Sequence, residues 1–481
     1  MDQKAPSTLV EEKVESPPTH TPDSPENVSA AGRGHAPYRL YKRRFAGLLG
    51  LVVLNIVAAM AWPWFGPISN DMSAEFGISL DQVNWLGNIV ALVYLPSAVL
   101  IPAVVSRYGI RRCCDIGVIA LLLAAWIRYA GTSKALSSNA AYALLIIGQF
   151  FAAIAQPIYQ VLGPKYSETW FDLKGRTTAT MLVAISNPVG GAVGQLLSPL
   201  VGDTRQSILV LAIITSAAIP FVLLIGAAPP TPPTFSGSKK SPPLLATIRT
   251  LIGMEVSPEQ HMTGRERTDF VILVLVFGVI VAGTNAFAIL TGQYMKPYGY
   301  SEDISGLMGA CLLLAGIVAA IATAPLFDRV FTHHLAVTAK IVAPIIGAAW
   351  LSLIWAVKPH NTGGLFIIMA IIGICGISVL PVSLELGCEL TRNADGSSAI
   401  LWFAGNLFAV MFILVQGALR AGPDADPPLN MHQAIMFNGI FIFVSSFLVL
   451  FLKGDMVRKA RDEERNQEIN ITSMNALNIL I

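Results

Sequence analysis

Charge is what this chain has least of. Only 13% of its 481 residues are Asp, Glu, Lys or Arg, against the roughly 25% usual for a soluble domain. Hydrophobic residues reach 54%, and the mean hydropathy is +0.61. These residues cannot make the polar surface of a water-soluble fold, so a membrane protein is implied. A net charge of +2 excludes bulk electrostatic binding of nucleic acid. Five cysteines without CxxC spacing exclude a disulfide framework or a zinc site, and no metal or cofactor is expected. Cys113 and Cys114 follow Arg111-Arg112 and read as ordinary helix residues, with acylation near a membrane face as the alternative.

The first 38 residues lack any apolar run and are rich in Pro, Ser, Thr and Glu, so no signal peptide is read there. Residues 1–43 are expected to be a disordered cytosolic tail. Further on, apolar runs of the roughly 20 residues needed to cross a bilayer fall near 45–67, 85–105, 113–131, 141–163, 177–199 and 206–227. They resume near 269–292, 304–326, 334–356, 364–386, 398–420 and 433–453. The Pro/Ser/Lys-rich stretch between the two sets reads as a cytosolic linker over 228–267. Within it, Leu244 to Met254 predicts a short surface helix with Arg249 facing water. The expectation is an all-α membrane protein: a six-helix bundle over 44–227, a second over 268–453, and a cytosolic tail over 454–481.

Cations are scarce, and their placement sets orientation. Lys42-Arg43-Arg44, Arg107, Arg111, Arg112, Lys165, Lys174, Arg176, Lys239, Lys240 and Lys453 flank alternate ends of the runs. The intervening loops carry acids such as Asp71, Glu75 and Asp81. The positive-inside rule then puts both termini in the cytosol.

Three features recur at an offset of about 220 residues, as in parallel repeats. Ser106-Arg107-Tyr108-Gly109 answers Asp328-Arg329, Glu168 to Arg176 answers Glu389 to Ser397, and the first run answers the seventh. Charges at facing helix ends interact with each other and with the end dipoles. Arg107, Arg111, Glu168, Arg176, Asp328, Arg329 and Glu389 are therefore candidates for a cytosolic latch between conformations. Plain flanking charge is the alternative.

Acids and histidines are missing from the middle of every run. That argues against proton-driven transport, and against an enzyme, which would need such groups clustered on one cavity. What the interior holds is amides and aromatics, each a default site hypothesis at bilayer depth. Asn55, Asn88, Tyr94, Gln149, Gln156, Asn187, Gln195, Asn285, Asn406 and Gln416 lie inside runs. Gln149 and Gln156 lie seven apart, on one helical face. Trp62 precedes a proline that frees backbone groups, and its ring face would suit a cation. Trp64 fits an interfacial aromatic belt better. The candidate substrate-binding residues are Trp62, Gln149, Gln156, Asn285 and Asn406.

Twelve runs in two sets, with the basic loop Arg107-Tyr108-Gly109-Ile110-Arg111-Arg112, resemble the major facilitator superfamily. More narrowly, several stretches are similar to the feline leukaemia virus subgroup C receptor-related transporters, solute carrier family 49. These are Gln149 to Gln156, Gly163-Pro164, Trp170-Phe171, Gly190 to Gly194, Leu380-Pro381, Glu389-Leu390-Thr391, Gly396-Ser397-Ser398 and Gln416-Gly417. The resemblance implies alternating-access transport of a small organic solute: a choline- or ethanolamine-like amine, a vitamin-like metabolite, or haem. In the family's choline transporters a first-helix Trp and a seventh-helix aromatic enclose the ammonium, helped by fifth- and eleventh-helix amides. Trp62 matches the first and Asn406 the last, while Asn285, with Phe287 nearby, and Pro188 stand at the other two positions. The expectation is a monomeric, facilitative transporter of the plasma membrane or a vacuolar/lysosomal-type membrane. A non-transporting receptor or nutrient sensor is the rival.

Overall fold

A computed structural model describes residues 39–231, 233, 244–254, 261–329 and 335–454. Nearly all of both tails and part of the linker therefore lie outside the described residues. The first half contains α1 (Arg43–Met60), α2 (Ser69–Phe76), α3 (Leu80–Ala130), α4 (Ser138–Trp170), α5 (Leu173–Leu200) and α6 (Thr204–Ala218). The linker helix α7 (Leu244–Ile252) follows. The second half contains α8 (Gly264–Met295), α9 (Glu302–Arg329), α10 (Leu335–Ala356), α11 (Thr362–Thr391), α12 (Ala394–Ala418) and α13 (His432–Ser446). Short 3₁₀ turns at Ile219–Leu224 and Phe447–Phe451 extend α6 and α13.

Eleven of these helices are long and apolar enough to cross a membrane, yet they make twelve crossings. The reason is α3, whose 51 residues would run about 75 Å if straight, more than twice a bilayer core. Gly109 adopts φ 81°, ψ 169° inside it, a conformation open chiefly to glycine. The chain folds back there into two arms. We call the face where the described chain begins and ends proximal, and the opposite face distal. Gly109 turns at the proximal face, and α2 lies at the distal one.

The first span ends early. Pro63 has no N–H for the Ala59 carbonyl and disfavours helix at Trp62 before it, so regular α1 stops at Met60. Residues 61–68 continue as turns. By contrast α5 runs through Asn187-Pro188. Asn55 of α1 braces it there, donating to the Val183 carbonyl at 2.9 Å and to Ser186 Oγ at 2.7 Å. A Cβ on Gly190 would lie 2.1 Å from the Ile56 carbonyl oxygen, so glycine is what lets α5 lie directly on α1.

Each half has its own apolar core, one built from residues between Leu48 and Ile225 and the other mainly from residues between Met262 and Leu452. The halves meet where α5 packs on α9 and α3 on α12, with α2 and α3 also touching α8. The linker helix forms where the sequence predicted it. Its Thr247 is buried, accepting from Asn393 Nδ2 at 2.7 Å, and Arg249 is exposed. Cys113 and Cys114 are buried in the first core, which removes them as acylation sites.

Candidate functional site

The early end of α1 presents Trp62 to the seam between the halves. Its half-buried ring packs against the core of the second half together with Ile185, Val189 and Leu196 of α5. A Cβ on Gly191 would lie 3.4 Å from the indole and 3.2 Å from Leu313 of α9. Gly191 thus leaves the space in which Trp62 lies beside both halves. Trp64 does not join an interfacial belt. It is fully enclosed, with Nε1 donating to Ser207 Oγ at 3.0 Å, and so belongs to the first core.

Gln149 departs most from the expectation. Its side chain is completely buried, and both ends of the amide are engaged. Nε2 donates to the Ala61 carbonyl at 2.7 Å, and Oε1 accepts from Arg128 at 2.7 Å. Arg128 is itself 1% exposed and also donates to the Ala124 carbonyl at 3.1 Å. Gln149 therefore lines no cavity; it is a tie holding the end of α1 next to Trp62. Arg128 escaped the sequence reading because it lies three residues from the end of its run and passes for a flanking charge.

The other three candidates keep unpaired polar atoms. Gln156 is 8% exposed and has no hydrogen-bond partner among the described residues, and half-buried Asn285 has none either. Asn406 donates to the Trp402 carbonyl of its own helix at 2.9 Å, which leaves its carboxamide oxygen without a partner among the described residues. No hydrogen bond joins any two of the five candidates. Three interior groups that the sequence reading noticed but did not nominate belong with them. Both amide atoms of Asn88, both of Gln195, and the Tyr94 hydroxyl are buried without partners.

Helix geometry puts several of these groups at one depth. Asn84 of α3 pairs with Gln293 of α8 and lies beside Gly417 of α12. Tyr94, Asn285 and Asn406 are ten, eight and eleven residues from those distal reference points, about 12–17 Å at 1.5 Å per residue. That is near the middle of a bilayer core.

The distal end of the seam is, by contrast, tied shut. Gln293 Nε2 donates to Asn84 Oδ1 at 2.5 Å, and Arg420 bridges Gln293 Oε1 at 2.8 Å and Asp81 at 2.7 Å. The Gly292 N–H donates to the Gly66 carbonyl at 3.2 Å. A cavity of about 210 Å³ lies between the halves here, lined by Asn70, Leu80, Gln293, Lys296 and Arg420 among others. None of the five candidate residues lines it. Phe287 faces away from the seam, stacked on Tyr294 at 5.4 Å and edge-on to Trp350 at 5.6 Å inside the second half. It cannot be the seventh-helix partner of Trp62 in this conformation.

Of the latch candidates, Arg111 donates to the Val222 and Ile225 carbonyls and pairs with Asp115 at 3.1 Å. It therefore caps the end of the sixth span within its own half. Arg107 stacks on Tyr108 at 5.5 Å. Glu389 is buried at the proximal end of α11. The side chains of Glu168, Arg176, Asp328 and Arg329 lie outside the described residues. One proximal pair not foreseen from the sequence, Arg392 with Glu266 at 2.5 Å, ties the start of α8 to the end of α11.

Comparisons with known proteins agree with this architecture. The family model described as Major Facilitator Superfamily matches residues 51–414. Solute carrier family 49 member A3 of Danio rerio is 27% identical, over 89% of this chain and 91% of that protein. The choline/ethanolamine transporter flvcr2a of Danio rerio is 23% identical, over 89% and 90%. Among solved structures, a POT family transporter in complex with 5-aminolevulinic acid superposes with a TM-score of 0.64 at 12% identity, covering 86% of this chain and 97% of that one.

Proposed function

The chain belongs to the Major Facilitator Superfamily, and from that premise we propose that it carries a small organic solute across a membrane by alternating access. The solute class is a choline- or ethanolamine-like amine or a vitamin-like metabolite of similar size. The observation that carries this reading is Trp62, presented at the broken end of the first span beside both halves. Unpaired polar atoms on Tyr94, Gln156, Asn285 and Asn406 lie on the helices around it. An aromatic face attracts a cationic head, and free amides can orient hydroxyl or amine groups. Names of the relatives support the amine class. Phe287 turned away, Asn285 and Pro188 favour a solute recognised by hydrogen bonds as much as by an aromatic cage.

The cation-rich proximal face is the cytosolic one by the positive-inside rule, so the tied distal face is external and the conformation is closed to the outside. A single chain suffices for this cycle. Among the described residues no carboxylate lies at mid-depth, which favours facilitated diffusion. Reconstituted vesicles offered choline, ethanolamine, pyridoxine and haem test the reading. Saturable, non-concentrative uptake of an amine or pyridoxine is expected. Uptake of none of them, or accumulation driven by an imposed pH gradient, overturns it.

A further inference from the structure

The linker helix α7 is amphipathic the wrong way round for a helix in water. Its threonines, Thr247 and Thr250, are buried, while Leu245, Ile248 and Ile252 are 64%, 37% and 68% exposed. These three recur at i, i+3 and i+7 and so form one stripe. Met254 just beyond is exposed as well, and Arg249 is exposed at the edge of the stripe. A helix docked on a protein in water turns its aliphatic side chains inward and its polar ones outward. A helix held between a protein and a bilayer can do the reverse.

The seat of α7 identifies what the stripe meets. Thr247 Oγ1 accepts from Asn393 Nδ2 at 2.7 Å, and Asn393 Oδ1 accepts from the Gly396 N–H at 3.0 Å, capping α12. A Cβ on Gly396 would lie 2.3 Å from Thr247 Oγ1, so α7 rests directly on that glycine. Gly396 shares a helical face with Phe403, Leu407, Met411 and Leu414, all exposed. That apolar stripe continues toward the distal end, where the seam is tied shut, so it faces the surrounding lipid and not the space between the halves. Along α12, Gly396 is 21 residues from Gly417 at the distal polar layer, about 31 Å and one bilayer core away. The linker helix therefore lies on the perimeter, below lipid-facing side chains, at the depth of the proximal headgroups.

We propose that α7 is an in-plane membrane anchor. Leu245, Ile248 and Ile252 enter the boundary between headgroups and acyl chains of the proximal leaflet, and Arg249 reaches the lipid phosphates. Interfacial helices hold by this combination of buried apolar area and edge cations. Thr247 turns the opposite side of α7 onto α12, so the exposed stripe points away from the protein at the depth where lipid is the neighbour. Through Thr247 and Asn393 the leaflet then fixes the proximal start of α12, the span that carries Asn406. Nothing here depends on which solute is carried.

Full-length protein in lipid nanodiscs tests this, with an environment-sensitive dye at Leu245→Cys or Ile252→Cys. Cys311→Ser and Cys375→Ser first remove the two half-buried thiols; the other three cysteines are buried. Lipid spin-labelled near the top of its acyl chain should quench either dye at least about three-fold more strongly than aqueous iodide does. The same dye at Arg249→Cys should lie shallower and respond best to lipid labelled on its headgroup; a deeper position than at Leu245 overturns the anchor. Preferential quenching by iodide overturns it as well, since the stripe then faces water and is free for a protein partner. Little quenching by either does so too, because the stripe is then covered by the tails or by the rest of the linker. A measurement without labels is amide exchange in the variant Leu245→Asp/Ile252→Asp. Exchange over 244–252 should rise at least about ten-fold in nanodiscs while α8 stays protected; unchanged exchange over that segment contradicts the anchor.

Discussion

The seam between the halves has two regions of opposite character. At the distal end polar groups are paired across it: Gln293 with Asn84, Arg420 with Asp81 and Gln293, Gly292 with Gly66. About 12–17 Å below, Tyr94, Asn285 and the Asn406 oxygen have no partner among the described residues. An unpaired polar group in a membrane interior costs about 1–3 kcal/mol. At the distal end the pairing runs from one half to the other, although Ser69 Oγ and Asn70 Nδ2 are buried there without partners, while at mid-depth the buried Tyr94 hydroxyl bears that cost with no pairing across the seam. The difference is between groups paired across the seam and groups left unpaired within it.

The sharpest way to break this contrast is at Gly66. A Cβ there would lie 2.1 Å from the Ala288 carbonyl oxygen of α8, so Gly66→Ala prevents the distal end from closing as it does here. Uptake should fall at least about ten-fold with unchanged surface expression, and labels across the distal face should report an open gate. Near-normal uptake would mean that this contact is not needed for the cycle.

A smaller effect is expected at Gln149, which the structure makes a tie rather than a lining residue. Gln149→Leu strips Arg128 and the Ala61 carbonyl of a partner, at about 1–3 kcal/mol for each group left bare. Thermal unfolding in detergent should show a clear drop in Tm. Gln149→Glu sharpens the point: it keeps the contact to Arg128 but faces the Ala61 carbonyl with an acceptor. It should restore part of the Tm yet leave KM raised, because the turn bearing Trp62 is misplaced. Equal KM values in wild type and Gln149→Glu would argue that Gln149 does nothing for Trp62.

The smallest change is expected at Arg420. Its partner Asp81 is 64% exposed, and exposed ion pairs contribute only about 0.2–1 kcal/mol. Arg420→Ala should raise the open-gate population by roughly two- to three-fold, and high salt should mimic it in the wild type. A loss as large as that for Gly66→Ala would show that the ion pair, not backbone apposition, holds the gate.

Much of the architecture could be read from hydropathy alone, because a bilayer imposes length and polarity limits that leave few alternatives. The linker helix at Leu244–Ile252 and the end of α1 before Pro63 follow from equally local rules. The site was less legible. Gln149 and Gln156 look alike in sequence, seven residues apart on one face, yet only Gln149 meets a buried arginine. Arg128 and Gln149 come from different helices, and nothing local says that they touch. The gate is further out of reach still, since Asp81 and Arg420 are separated by 339 positions. Sequence marked Asp81 only as a loop acid. Phe287 shows the converse problem: it lies near the resembling position, but packing turns it into its own bundle.

The central claim is that the aromatic at the broken end of α1 meets the solute. Its most direct test is uptake by vesicles containing Trp62→Ala, using whichever of choline, ethanolamine or pyridoxine the wild type transports. The account predicts loss of saturable uptake with protein level, Tm and the distal gate unchanged. Saturable uptake with wild-type KM and Vmax in that variant would contradict it.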